Sequence, residues 1–278
     1  MRTQAEKATA FRALHQRPGA FIIPNPWDAG TARLLASLGF EALATTSLGL
    51  ANALGRPDGV NAVSVDEVIH NVRAIAEATD LPVNADLENG YADDPKLAAE
   101  TVRRAAEAGA VGASIEDFTG DAQRGVYDFQ HAVERVHAAV EMAHSLPVPV
   151  MLTARAENLL RGRNDLDDTI RRLQAFEKAG ADVLYAPGLK DLGTIRTVAR
   201  SVGRPINVVM SMADPSITAQ QLADAGVKRI SVGGALSRLA LGAFVEGARE
   251  MAEKGSFTWV RRAIATRELS SVFQKWQG

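Results

Sequence analysis

The chain has 278 residues, 46% of them hydrophobic and 23% charged, with a formal net charge of −2. That balance supports a large buried core without disulfide or metal staples, and the length fits one α/β barrel of about 250 residues. With no basic run to neutralise phosphates, dedicated nucleic-acid binding is disfavoured, and with no cysteine disulfides and thiol chemistry are excluded.

The start, Met1-Arg2-Thr3-Gln4, lacks the apolar core of a signal peptide, and no stretch reaches the roughly 18 apolar residues of a membrane span. The expectation is a cytoplasmic protein without a membrane partner. Residues 3–16 read as an N-terminal helix covering a barrel floor. Eight β-rich runs follow: Phe21–Pro24, Ala42–Thr46, Val83–Leu87, Gly112–Glu116, Val150–Ala154, Val183–Ala186, Ile206–Val209 and Arg229–Val232. Between them lie segments of helical periodicity, such as Val65, Val68, Ile69, Val72, Ile75 and Ala76. Strands alternating with helices of this length imply βαβ units and a parallel sheet.

A weak repeat marks the same units. Ser37-Leu38-Gly39-Phe40, Glu107-Ala108-Gly109-Ala110, Lys178-Ala179-Gly180-Ala181 and Asp224-Ala225-Gly226-Val227 each end a helix before a strand. No Gly-rich dinucleotide fingerprint follows the first strand, so the fold expected is a (β/α)8 TIM barrel spanning 1–278 as one domain. Residues 255–278 form a C-terminal helical extension. Its stretch Thr258–Trp276 places Trp259, Val260, Ala263, Ile264, Val272, Phe273 and Trp276 on one apolar face, to be covered by its own barrel or by a partner subunit.

Chemistry in a barrel gathers at the C-terminal ends of the strands. The third strand ends Asn84-Ala85-Asp86-Leu87-Glu88, where a period of two puts Asp86 and Glu88 on the same face, the fourth ends Ser114-Ile115-Glu116-Asp117, and the fifth Thr153-Ala154-Arg155-Ala156-Glu157. Carboxylates this close repel unless a cation neutralises them, and oxygen donors without Cys or His suit Mg²⁺ or Mn²⁺. The same residues would also serve as ordinary polar groups at strand–loop junctions. After the second strand come Thr45-Thr46-Ser47-Leu48-Gly49 and Gly55-Arg56-Pro57-Asp58-Gly59, a carboxylate-binding turn or a merely structural one. Arg155 would complete a carboxylate clamp. Gly233-Gly234, before a helix, have the look of a barrel phosphate site or of a tight turn. The five histidines (His15, His70, His131, His137, His144) fall in helical segments and read as surface or core residues.

Thr46-Ser47-Leu48, Gly55-Arg56-Pro57-Asp58, Asn84-Ala85-Asp86-Leu87-Glu88, Ser114-Ile115-Glu116-Asp117 and Thr153-Ala154-Arg155 together resemble the isocitrate lyase/phosphoenolpyruvate mutase superfamily, over nearly the whole barrel. The resemblance implies a direct metal ligand at Asp86, with Glu88 and Glu116 holding metal-bound waters and Asp58 near the metal. It implies that Thr46, Ser47 and Leu48 bind the substrate carboxylate with Arg155, and that Asn207 is a further substrate contact. It also implies a homodimer or homotetramer with exchanged C-terminal helices. The Lys-Lys-Cys-Gly-His loop of the isocitrate and methylisocitrate lyases is replaced here by Thr119-Gly120-Asp121-Ala122-Gln123-Arg124-Gly125. The Lys and Asn of the mutase and of phosphonopyruvate hydrolase are missing from that loop too, and Pro187 stands about where the mutase has a sixth-strand His.

The expected chemistry is Mg²⁺-dependent cleavage of a C–C (or C–P) bond in a small 2-oxo acid through an enolate, as in oxaloacetate decarboxylation. Asp58, Glu116 and Arg155 are the candidate catalytic residues, with Tyr185 or a metal-bound water as the proton source and loop 119–126, tipped by Arg124, as the lid. The alternatives are activities like those of phosphonopyruvate hydrolase, the mutase or 2-methylisocitrate lyase, a phosphate-binding isomerase or aldolase using Gly233-Gly234, and a non-catalytic 2-oxo acid binding protein.

Overall fold

The computed structural model describes residues 1–276, so the last two residues of the expected extension lie outside the described residues. All eight strands form: β1 Phe21–Ile23, β2 Leu43–Ala44, β3 Val83–Asp86, β4 Gly112–Glu116, β5 Met151–Arg155, β6 Val183–Tyr185, β7 Ile206–Val209 and β8 Arg229–Ser231. β1, β2, β3, β6 and β8 are one to three residues shorter than the apolar runs suggest, mostly because the last residues of those runs turn into the loops at the barrel mouth, and β5 is shifted by one residue. Every ladder is parallel, in the order β1-β8-β7-β6-β5-β4-β3-β2. The Ala44 amide donates to the Pro24 carbonyl at 3.1 Å across the remaining seam. The architecture is a (β/α)8 barrel.

The helices of the first half are α1 Gln4–Gln16, α2 Ala29–Ser37, α3 Ser47–Ala53, α4 Val65–Glu77 and α5 Pro95–Glu107. Those of the second are α6 Phe129–Ser145, α7 Leu166–Lys178, α8 Leu192–Arg200, α9 Ala219–Asp224, α10 Ala235–Lys254 and α11 Thr266–Gln274. The repeated glycine does one job four times: Gly39, Gly109, Gly180 and Gly226 stop α2, α5, α7 and α9 with φ of 86°, 99°, 100° and 96°, a left-handed turn that a Cβ disfavours. The repeat is thus the βα unit itself.

Helix α1 closes the floor. Thr3 and Glu6 make its capping box, and Phe11 and Leu14 pack with Phe21, Ile23, Val111, Met151 and Val183 beneath the strands. Above, alternate residues face the lumen, Asn84 and Asp86 on β3, Ser114 and Glu116 on β4, Asn207 and Val209 on β7, Arg229 and Ser231 on β8. The five histidines lie on α1, α4 and α6.

The extension departs from one continuous helix over Thr258–Trp276. A 3-10 turn, Thr258–Arg262, precedes α11. The intervening residues extend, because α11 leaves the end of α10 to lie against α2 of the same chain. Trp259 packs over Gly247 on α10, where a Cβ would sit 3.2 Å from the indole. Along α10 only Ser237 and Gly247 are buried. Among the described residues no helix is long and apolar enough to cross a membrane.

Candidate active site

A cavity of about 370 Å³ opens at the C-terminal ends of the strands. On its β3–β5 side it is lined by Asp58, Asp86, Glu88 and Glu116, with the guanidinium groups of Arg155 and Arg161 between them. Glu157, fully buried, stands behind. The barrel mouth brings together five carboxylates and two cations.

Asp86 is fixed from three directions. Its Oδ1 accepts from Arg155 Nη1 at 2.8 Å, its Oδ2 from the Ser47 amide at 3.1 Å, and its own amide donates to Thr45 Oγ1 at 2.8 Å. Arg155 also pairs with Glu116 and Glu157, each at 2.8 Å, and faces the Tyr185 ring at 5.0 Å. Arg161 reaches Glu116 and Glu157 at 3.5 Å. Glu157 Oε2 is buried without a hydrogen bond.

Glu88 lies beyond the strand with φ 46°, so it reaches the site through a left-handed kink and not through strand alternation. Tyr91 donates to it at 2.8 Å. Burial, then the charge of Asp86, pushes the Glu88 carboxyl up to about 7 against the Tyr91 bond. Burial also raises Glu116 well above the usual carboxylate range, against the pull of Arg155. Asp58 enters from the exposed loop 55–59; desolvation where it meets the pocket, then Asp86, raise its pKa. Burial raises the Tyr185 phenol, which stays protonated.

The donor chemistry fits a hard divalent cation: oxygen atoms only, and carboxylates in excess whose protonation burial promotes. Among the described residues no three His, Asp or Glu side chains already form a metal cage.

The remaining expected residues fall as follows. Thr46 is the N-cap of α3, its hydroxyl accepting from the Gly49 amide at 3.3 Å. Thr46-Ser47-Leu48 is therefore a helix start and not a free turn. Ser47 faces Asp86 and Asp58, and Leu48 packs where any Cβ on Gly234 would collide with it. Asn207 lines the cavity with its amide engaged, Oδ1 accepting from Arg229 and Nδ2 donating to Ser231. Of the Gly233-Gly234 pair, the Gly233 amide is already engaged. The amides of Val232 and Gly233 donate to Asn25 Oδ1 at 3.0 and 2.9 Å, and Asn25 Nδ2 donates to the Thr45 carbonyl at 3.0 Å. One side chain thereby ties three strand ends.

Loop 119–126 is a small hairpin closed by the Phe118–Val126 bridge. Arg124 turns away to pair with Asp93 at 2.9 Å, and none of residues 119–126 lines the cavity. A lid tipped by Arg124 is not formed in this conformation. Sequence reasoning also missed Asn25, Arg161 and Arg229. Arg229 had a signal, since it lies two residues before Ser231 on the eighth strand and must share its inward face.

Fold and site together define an acid-mouthed (β/α)8 barrel with its functional groups on strand ends two to five. The phosphoenolpyruvate phosphomutase family pattern matches residues 11–252, and the chain belongs to that family, within the isocitrate lyase/PEP mutase superfamily. It is 56% identical to a solved "putative lyase/mutase" from Burkholderia cenocepacia J2315, covering 97% of this chain and 96% of that one with a TM-score of 0.94. It is 30% identical to the 2-methylisocitrate lyase of Escherichia coli (strain K12) over 78% of this chain and 75% of that protein. It is 27% identical to the oxaloacetate decarboxylase of Bradyrhizobium diazoefficiens over 97% of this chain and 92% of that protein. A superfamily of lyases and mutases supports an enzyme.

Proposed function

We propose that the chain cleaves a C–C (or C–P) bond next to the 2-oxo carboxylate of a small acid, releasing the remainder as an enolate that becomes pyruvate or a homologue. The observation that carries this reading is the convergence of Asp58, Asp86, Glu88, Glu116 and Arg155 on one cavity at the barrel mouth. Asp86, Glu88 and Glu116 would hold Mg²⁺ or Mn²⁺. That ion, when bound, supplies Lewis acidity to the 2-oxo and carboxylate oxygens.

The chain's own residues do the rest. The Ser47 amide and Arg155 hold Asp86 in one orientation. Arg155, shared among three carboxylates, turns part of its fork to the substrate carboxylate and to negative charge developing on the 2-oxo oxygen. The Tyr185 phenol, protonated and beside Arg155, delivers a proton from its Oη to the carbon that lost its substituent, and the phenolate left behind is reprotonated from solvent. With no cysteine in the chain, the acid step of a Cys-loop lyase is unavailable. Oxaloacetate, whose leaving group needs no acid, is the simplest substrate of the class. The related proteins named a lyase and a decarboxylase support carbon–carbon cleavage.

A second reading, a 2-oxo acid binder without turnover, is favoured by a hairpin 119–126 that stands off the cavity. Purified protein with Mg²⁺ and oxaloacetate, phosphonopyruvate or longer 2-oxo diacids separates the two. Metal-dependent pyruvate release that Asp86→Ala removes establishes cleavage. Binding of oxalate without turnover establishes the binder. Indifference of both to metal sinks the reading of the carboxylate cluster.

A further inference from the structure

Below the acidic mouth the barrel holds a cation of a different kind. Arg229 is 4% exposed. Its Nε donates to Asn207 Oδ1 at 2.9 Å and its Nη2 to Thr153 Oγ1 at 3.0 Å. Both partners are neutral, and Nη1 is buried with no partner. The contrast with Arg155, which pairs with three carboxylates, and Arg172, which pairs with two, is sharp. Burial without a countercharge pulls the Arg229 guanidinium down to about 10. A buried cation held only by a hydroxyl and an amide is costly, and an anion delivered to its free edge would offset that cost.

The geometry says where that anion comes from. Arg229 lines the same cavity as Asp86 and Glu116. Thr153, which it touches, lies two residues below Arg155 on β5, a step of about 6–7 Å down the strand. The carboxyl carbons of an extended four- or five-carbon diacid, joined by bonds of about 1.5 Å, lie roughly 4–6 Å apart. A ligand with one carboxylate at the mouth therefore presents its second near Arg229.

We propose that Arg229, held in place by Asn207 and Thr153, is the subsite for the second carboxylate of a 2-oxo diacid. This rests on the reading of the mouth as a 2-oxo acid site. It also narrows the substrate. A guanidinium that grips a carboxylate resists its loss as neutral CO₂, because the ground state is held more tightly than the transition state. The subsite thus favours a diacid whose departing fragment keeps its carboxylate over oxaloacetate.

The test is calorimetric titration of the full chain with Mg²⁺ in chloride-free buffer, using 2-oxoglutarate, the equally long monoacid 2-oxovalerate, and oxalate, on wild type and Arg229→Gln. The expected result is 2-oxoglutarate about tenfold or more tighter than 2-oxovalerate in wild type, the ratio collapsing in Arg229→Gln while oxalate affinity changes little. Equal affinities in wild type overturn the proposal, leaving Arg229 satisfied by buried water, and that comparison stands even if the variant does not fold. A diacid preference that survives Arg229→Gln overturns it too, by placing the second carboxylate elsewhere. Oxalate separates the two readings: if it binds while the two acids tie, only the subsite fails. If none of the three binds, the reading of the mouth fails and the subsite with it.

Discussion

Replacing Arg172 with Met removes the one cation that, among the described residues, pairs with Asp117. Arg172 is 2% exposed and Asp117 2% exposed. Its Nη1 donates to Asp117 Oδ2 at 2.9 Å and to the Tyr127 carbonyl at 3.1 Å, and its Nε to Asp168 Oδ2 at 3.0 Å. Asp168 retains Arg171 and Arg163 at 3.2 and 3.6 Å, so the loss falls on Asp117, left with the Glu157 amide at 2.8 Å. Breaking a buried pair this way costs about 3–5 kcal/mol, which for a barrel of this size is a fall in Tm of roughly 10 °C. Burial, against Arg172, already lifts the Asp117 carboxyl to about 6. Without the arginine its folded pKa rises further above the unfolded value. A group raised on folding stabilises the protonated state, so the deficit of the variant is largest near pH 8 and shrinks toward pH 5.5. Thermal melts of wild type and Arg172→Met at both pH values read this directly. A variant within about 2 °C of wild type at pH 8, or a deficit unchanged at pH 5.5, would refute the idea that this buried pair anchors the β4 and β5 ends. Because Asp117 holds the Glu157 backbone behind Arg155, weaker oxalate binding should accompany the lost stability.

His15, 6% exposed between Phe11 and Phe21, is pushed down to about 3 by burial and then by the Arg229 charge. Its folded pKa is below the unfolded one, so the stability it contributes is present above about pH 6.5 and is lost as pH falls; about 2 kcal/mol disappears between pH 7 and 5. Denaturant midpoints over that range should flatten in His15→Phe, and an unchanged slope would contradict the assignment. Leu239 and Phe244 on α10 are each 71% exposed, an apolar face that predicts self-association. Sedimentation should show a dimer or larger species that Leu239→Glu with Phe244→Glu shifts toward monomer, and a monomeric wild type would count against it.

The periodicities of two and 3.6 were legible in the sequence because strand and helix each need one repeated face. Gly39, Gly109, Gly180 and Gly226 announced the helix stops because a left-handed φ leaves few residues to choose from. Asp86, Glu116 and Arg155 could be placed at one mouth because parallel strands in a barrel all end on the same side. What strand alternation could not supply was the reach of side chains across the lumen. It missed that Asn25 binds three strand ends, that Arg155 spreads over Asp86, Glu116 and Glu157, and that Glu88 turns inward only through a left-handed kink. Nor could it show that the Gly233 amide is already engaged and that Arg229 has no acid opposite it. Local spacing fixes backbone direction over a few residues. Which polar groups find each other across a closed barrel depends on shear, seam and tilt, and those exist only once all eight strands have met.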